Sequence, residues 1–215
     1  VCGHIPSHMT ASQAIDAGYD EVTHINMLML NFFGDTVETR NMNRFKLVGQ
    51  KGYMIDLDGP EAEALVKKMK DKNIAHDPTI TTFEDMFIGL PGKPSEAYRP
   101  ILPYLPAEIK RSAMAGGFIG DDAEIESYKK SYDAMKKMIK KLYDNKITVV
   151  AGTDGGIVQH ELETYVDCGI PNSDVLRMAT IIPAALAGKD KSFGSIEAGK
   201  TANMILVDGN PLQNI

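Results

Sequence analysis

The chain has 215 residues, 43% of them hydrophobic and 24% charged, and carries a net charge of −6. That length buries one core but falls short of the about 250 residues of a complete (β/α)8 barrel, and a pI near 5.4 argues against a nucleic-acid partner, which would need a basic face. No apolar run reaches the ~18–20 residues of a membrane span, and Cys2 and Cys168 form no zinc or redox spacing, so they read as free thiols.

In chain order, Val1-Cys2-Gly3-His4 reads as a short strand ending in a histidine. Opening at Val1, without methionine and directly into a strand, it reads as a fragment, which leaves any leader segment and the compartment unassigned. Thr10-Ala11-Ser12-Gln13 is a capping box that opens a short helix, closed by Gly18. Glu21-Val22-Thr23-His24 is a second strand with a histidine at its end. Residues 25–58, rich in Asn and Met without steady periodicity, read as a long connection. Pro60 opens a helix with Ala62, Leu65, Val66 and Met69 on one face. Ile74-Ala75-His76 is a third strand, stopped by Asp77-Pro78.

Residues 78–123 hold six of the eleven prolines and read as a second long connection of the kind that shapes a binding site. The clearest helix follows, with Ile125, Tyr128, Tyr132, Met135, Ile139 and Leu142 spaced by threes and fours. Lysine pairs at 67–68, 129–130, 136–137 and 140–141 lie on such helical segments with acids nearby and read as solvated faces. A fourth strand over 147–151 leads into Ala151-Gly152-Thr153-Asp154-Gly155-Gly156, where glycines let the backbone approach a ligand and one carboxylate faces a site. Helices over 160–168, 173–181 and 183–187 and a last β segment, 203–207, complete the chain.

Strands alternating with helices predict parallel βαβ units. In a parallel barrel, catalytic groups sit at the carboxyl ends of strands, where His4, His24, His76 and Asp154 all fall. Two imidazoles and a carboxylate at equivalent strand ends suit Zn²⁺ or a related divalent ion. Such an ion lowers the pKa of its water to about 7 and supplies hydroxide at neutral pH. An adjacent carboxylate can take a proton and hand it to a leaving amine. His76 is open between substrate contact and a structural hydrogen bond. His160-Glu161-Leu162-Glu163-Thr164 begins like a zinc-protease HExxH helix, but Thr164 stands where the second histidine belongs. It reads instead as a polar helix start, with Glu161 and Glu163 facing the positive end of the helix dipole.

The chain resembles the amidohydrolase superfamily, in its imidazolonepropionase-like and dipeptidase-like branch. The likeness rests on Val1-Cys2-Gly3-His4 with Ala14-Ile15-Asp16-Ala17-Gly18, on Val22-Thr23-His24, and on Ala151-Gly152-Thr153-Asp154. It extends through Ala179-Thr180-Ile181-Ile182-Pro183-Ala184, Gly194-Ser195-Ile196-Glu197-Ala198-Gly199-Lys200 and Asp208-Gly209-Asn210-Pro211; Ala202-Asn203 departs from the family's usual Ala-Asp. The resemblance implies an α/β fold, the C-terminal half of a TIM-type (β/α)8 barrel (strands 5–8), with one segment of a small β-sandwich. Residues 1–190 would form the partial barrel and 191–215 the sandwich strand.

By the same resemblance, His4, His24 and Asp154 match the metal ligands of strands five, six and eight, with Asp154 also the proton shuttle. The cofactor implied is a divalent metal, zinc foremost, as one or two ions. The family's strand-one His-x-His pair and strand-four ligand have no counterpart and would lie upstream. The expected reaction is hydrolysis of a C–N bond, amide-type, non-protein or dipeptide-like, by metal-bound hydroxide in the intact parent. Arg40, Arg44 and Arg99 are candidates to hold a substrate carboxylate. The expected partners are a small-molecule substrate and the missing N-terminal half of the barrel or a second copy of the chain. The alternatives are a catalytically silent fragment and a lyase or isomerase on the same scaffold.

Overall fold

The computed structural model describes residues 1–118 and 122–215. Three short parallel strands form its sheet in sequence order: β1 (Cys2–Gly3), β2 (Glu21–Thr23) and β3 (Ala75–Asp77). Gly3 pairs with Val22, and Val22 pairs in turn with His76. The expected fourth strand shrinks to a single parallel bridge between His76 and Val149. There the His76 N–H donates to the Thr148 carbonyl at 2.8 Å and the Val150 N–H donates to the His76 carbonyl at 3.0 Å. The four segments thus lie side by side in the order of the sequence, as consecutive parallel units require.

Helix α1 (Ala11–Asp16) follows β1 and carries the reciprocal capping box of Thr10 and Gln13 that the sequence announces. The connection read over 25–58 is instead largely helical: α2 (Ile25–Met29), a 3₁₀ turn at Leu30–Phe33, α3 (Asn43–Lys51) and a second 3₁₀ turn at Gly52–Met54. Every residue of α2 is buried, so it has no polar stripe and shows no helical period. Helix α4 (Pro60–Asp71) buries Ala62, Leu65, Val66 and Met69, the four residues its periodicity selects.

The second connection also carries helices, α5 (Ile80–Ile88) and α6 (Ala107–Ser112), and its end at residues 119–121 lies outside the described residues. Helix α7 (Asp122–Asp144) turns Tyr128, Tyr132, Met135, Ile139 and Leu142 into the core. Each fully buried side chain of that size contributes about 1.5–3 kcal/mol. Three helices follow: α8 (Val158–Asp167), α9 (Asn172–Met178) and α10 (Ile181–Leu186). The last β segment differs from expectation. Residues 203–207 pair with no strand among the described residues, and their side chains stand in solvent. A strand without a neighbouring edge has nothing to satisfy its backbone but water. No described helix is long and apolar enough to cross a membrane.

Helices α5 and α8 are tied by an ionic contact with a measurable signature. His160 donates through Nε2 to Glu84 at 2.6 Å and through Nδ1 to Glu163 at 2.8 Å. The Glu84 hydrogen bond, opposed by burial and aided by Glu163, pushes the His160 ring from 6.5 up to about 9. Because the folded value lies above the unfolded one, this stabilisation is complete below pH about 6.5 and is lost as pH rises through about 9. Urea midpoints should therefore fall between those pH values by the equivalent of roughly 1–3 kcal/mol. In His160→Gln that slope should flatten; an unchanged slope would show that the tie is energetically silent.

Candidate metal centre and active site

The strand ends meet at one cleft. His4 follows β1, His24 follows β2, and Asp154 lies just beyond the segment that bridges to β3; all three line it, together with Asn26, Arg44, Phe45, Thr82, Phe83 and Met86. The His4 and His24 rings lie 4.7 Å apart, centroid to centroid. Burial, reinforced by the Arg44 charge and opposed by Asp154, holds the His4 ring below its usual pKa. Burial, reinforced by His4, does the same for His24. Both imidazoles are thereby biased to the neutral form, the form that binds a metal.

The donor set therefore fits a divalent cation in chemistry, although among the described residues no three His, Cys, Asp or Glu side chains converge closely enough to hold one. His4 and His24 are the pair that would hold it, with Asp154 beside them.

Strain concentrates here. His24 has φ 67° and ψ 127°, Asp154 has φ 49°, and Thr79, a β-branched residue, sits in the left-handed region at φ 47° and ψ 44°. Such conformations cost of order 1–3 kcal/mol each and persist where surrounding contacts enforce them. For His24 and Thr79 those contacts are three hydrogen bonds. The His24 N–H donates to the Asp77 carbonyl at 2.7 Å, the Ile25 N–H donates to the Pro78 carbonyl at 2.9 Å, and His24 Nδ1 meets Thr79 Oγ1 at 2.6 Å.

The glycines before and after Asp154 serve a different purpose from the one their pattern suggests. A Cβ on Gly152 would collide with both carboxylate oxygens of Asp77, so this glycine makes room for a side chain of the protein rather than for a ligand. Burial pushes the Asp77 carboxyl up to about 7, and its Oδ1 has no partner among the described residues. Gly155, at φ +91°, needs its freedom for the turn itself.

Of the other candidates, only Arg44 reaches the cleft. Its guanidinium lies 4.5 Å from the centroid of the Phe45 ring and donates through Nη1 to the Thr39 carbonyl at 3.1 Å. Among the described residues its Nε is buried without a partner and no carboxylate pairs with it. Arg40 is committed to Glu38 on the surface, and Arg99 pairs with Glu96 beside a separate cavity. His76 lies beneath the site, fully buried, with Nδ1 2.8 Å from the Val22 carbonyl; burial pushes it down to about 4. A carbonyl only accepts, so Nδ1 carries the proton and His76 is held by a structural hydrogen bond.

Two residues escaped the sequence reading. Asn26 is fully buried, lines the cleft, and leaves both its amide nitrogen and its amide oxygen without partners among the described residues. It follows His24 by two positions, a polar side chain inside an otherwise apolar stretch, and that was the signal. Glu161, read as facing its own helix dipole, is fully buried and turns to α5 instead. The signal was its placement on the same helix face as Tyr165, four residues on.

The arrangement has relatives. Among solved structures, this chain is similar to a prolidase complexed with N-methylphosphonate-L-proline at 16% identity and TM-score 0.55, covering 100% of this chain and 39% of that one. It is similar to an amidohydrolase at 15% identity and TM-score 0.52, covering 99% of this chain and 38% of that one. A third, described as an uncharacterized protein, gives 16% identity and TM-score 0.56 over 100% of this chain and 40% of that one. The chain thus spans about half or less of the length of the solved proteins it matches, and at these identities the likeness speaks for the fold alone. The sequence model described as "Amidohydrolase family" matches residues 14–215, nearly the whole chain, and on that match the chain belongs to the amidohydrolase family.

Proposed function

We propose that this chain forms the C-terminal half of a metal-dependent (β/α)8 hydrolase, with residues 191–215 as a segment of a small β-sandwich. It would act on an amide-type C–N bond in a small, carboxylate-bearing substrate of dipeptide-like kind. The observation that carries this reading is the gathering of His4, His24, Asp154 and the carboxylate-free Arg44 around one cleft. Family membership supports the hydrolase class, and the sequential parallel order of the strands supports the barrel.

In this reading His4 and His24 hold a divalent cation, zinc foremost. When bound, the cation supplies Lewis acidity and makes water acidic enough to attack at neutral pH. Asp154 takes the proton of the attacking water and delivers it to the leaving nitrogen, which would otherwise depart as a poor, strongly basic anion. Arg44 grips the substrate carboxylate with its free N–H groups. Asn26 offers one donor and one acceptor to the substrate amide, and a bound amide would satisfy groups now buried at a cost of about 1–3 kcal/mol each.

Substrate charge tests the reading. With the zinc-loaded full-length parent protein, Arg44→Met should raise KM about 10- to 100-fold for N-acyl amino acids and dipeptides, the loss of one charged hydrogen-bonding group. It should leave the corresponding neutral amides within a few-fold. Equal effects on charged and neutral substrates would remove Arg44 from carboxylate binding, and no amide hydrolysis by the wild type would remove the reaction.

A further inference from the structure

Helix α5 begins in an unusual way. Its N-cap is Thr79, a residue type that ordinarily spends its hydroxyl on the open N–H groups of its own helix. Here it makes no such bond. Its backbone is left-handed, where an N-cap is normally extended, and its hydroxyl lies 2.6 Å from His24 Nδ1. The first helix amides would be orphaned in a buried place, at about 1–3 kcal/mol each.

Glu161 on α8 takes the task that Thr79 gives up. One carboxylate oxygen accepts from the Ile80 N–H at 2.9 Å. The other accepts from the Thr81 N–H at 3.0 Å and the Thr81 hydroxyl at 2.8 Å. The next amide, Thr82, donates to the Thr79 carbonyl at 3.2 Å, so the amides of Ile80, Thr81 and Thr82 are all satisfied. Glu161 is fully buried, and its acceptors are distributed over donors 80 and 81 residues away in sequence. A carboxylate facing a helix N-terminus also meets the positive end of its dipole.

The geometry points to Glu161 as a positioning residue for His24: by capping α5 from the neighbouring helix, it releases the Thr79 hydroxyl to fix the His24 ring. In the proposed arrangement Thr79 Oγ1 accepts from Nδ1–H, which holds the proton on that nitrogen and leaves the Nε2 lone pair available; the tautomer is what the test below reads. The arrangement also orients the ring, since a left-handed Thr79 and a left-handed His24 are locked against each other. The begun-but-broken HExxH pattern is thereby accounted for without a metal on His160, which is committed to Glu84 and Glu163.

This inference takes from the proposed function only that His24 faces the site, and its test needs neither metal nor substrate. Long-range ¹H–¹⁵N correlation of the histidine rings, on protein dialysed against a chelator, reads the tautomer directly. Wild-type His24 should show a single neutral tautomer with the proton on Nδ1. Thr79→Val should convert it to a mixture, and Thr79→Ser, which retains the hydroxyl, should restore the single form. Glu161→Gln should reproduce the Thr79→Val signature, because a carboxamide cannot accept from donors with both its ends. Glu161→Asp, a carboxylate drawn back by one methylene, should move His24 in the same direction by less.

His76 is the internal control, because its Nδ1 is held by the Val22 carbonyl, independent of α5. A His24 signature unchanged in the Glu161 variants, or His24 and His76 shifting together, overturns the proposal. The predicted signature in a full-length parent that binds no metal and hydrolyses no amide would overturn the proposed function and leave this inference standing.

Discussion

Asp154→Asn in the full-length parent protein is expected to lower kcat by about 10²–10⁴-fold, the range a general acid–base group contributes. The substitution is unusually clean at this position. Asp154 occupies the left-handed region at φ 49°, a conformation that asparagine tolerates as readily as aspartate, whereas alanine would add backbone strain. The turn through Gly155 and the close fit of Gly152 on Asp77 are therefore retained. What changes is one basic oxygen. Asparagine cannot take a proton from water or pass one to the departing nitrogen, so kcat should fall with little change in KM or in the thermal midpoint. Steady-state kinetics beside thermal denaturation separate these effects. An Asn variant within a few-fold of wild type would show that the carboxylate takes no part in the chemistry.

The second large effect is expected of the His4→Ala, His24→Ala pair. Elemental analysis of the full-length parent protein expressed with supplemented zinc should fall from near-stoichiometric metal in the wild type to background in the double variant. Amide hydrolysis should disappear with it. The two rings lie 4.7 Å apart, His24 buried and His4 at the exposed rim, and both are held below the usual histidine pKa, so each is biased to the neutral state that a cation needs. Removing both leaves Asp154 as the only potential ligand of the three, too few for tight divalent binding. Full activity and full metal content in the double variant would refute the assignment. Because His24 also anchors Thr79, the His4→Ala single variant should reduce metal with the smaller disturbance of α5.

Much of this site was legible before any coordinates. His4, His24 and Asp154 stood out because a polar residue closing a short β-branched run can point only outward from the strand end, and parallel strands place those ends together. Helices α4 and α7 were legible because each is amphipathic and one face writes its period into the sequence, and α1 because its capping box and closing glycine mark its two ends. Helix α2 was hidden because it is buried on every side. The glycine at 152 was seen, but its purpose depends on Asp77, 75 positions earlier, and no local pattern carries that distance. The same holds for Glu161, whose partners on α5 lie 80 residues upstream. Among Arg40, Arg44 and Arg99, residue type could not discriminate. The presence of a nearby acid did: Glu38 and Glu96 claim two of them and leave Arg44 to the cleft.

The solvated run at 203–207 sets how this molecule would be read by amide exchange and by proteases. Met204, Ile205 and Leu206 are 60%, 86% and 101% exposed, and no backbone N–H from 204 to 207 finds a carbonyl among the described residues. Exchange there needs no opening event and runs near the rate of a free peptide, whereas the amide of fully buried Val22 must wait for the sheet to come apart. On either side the chain is moored, by the Thr201 N–H to the Ser192 carbonyl at 2.9 Å and by the Asn172 side chain to the Pro211 carbonyl at 3.1 Å. An extended apolar stretch between two moorings is already in the shape a protease cleft accepts. The first cut falls there and costs the core nothing, so the clock that governs digestion of this segment is the protease's own turnover and not the stability of the fold.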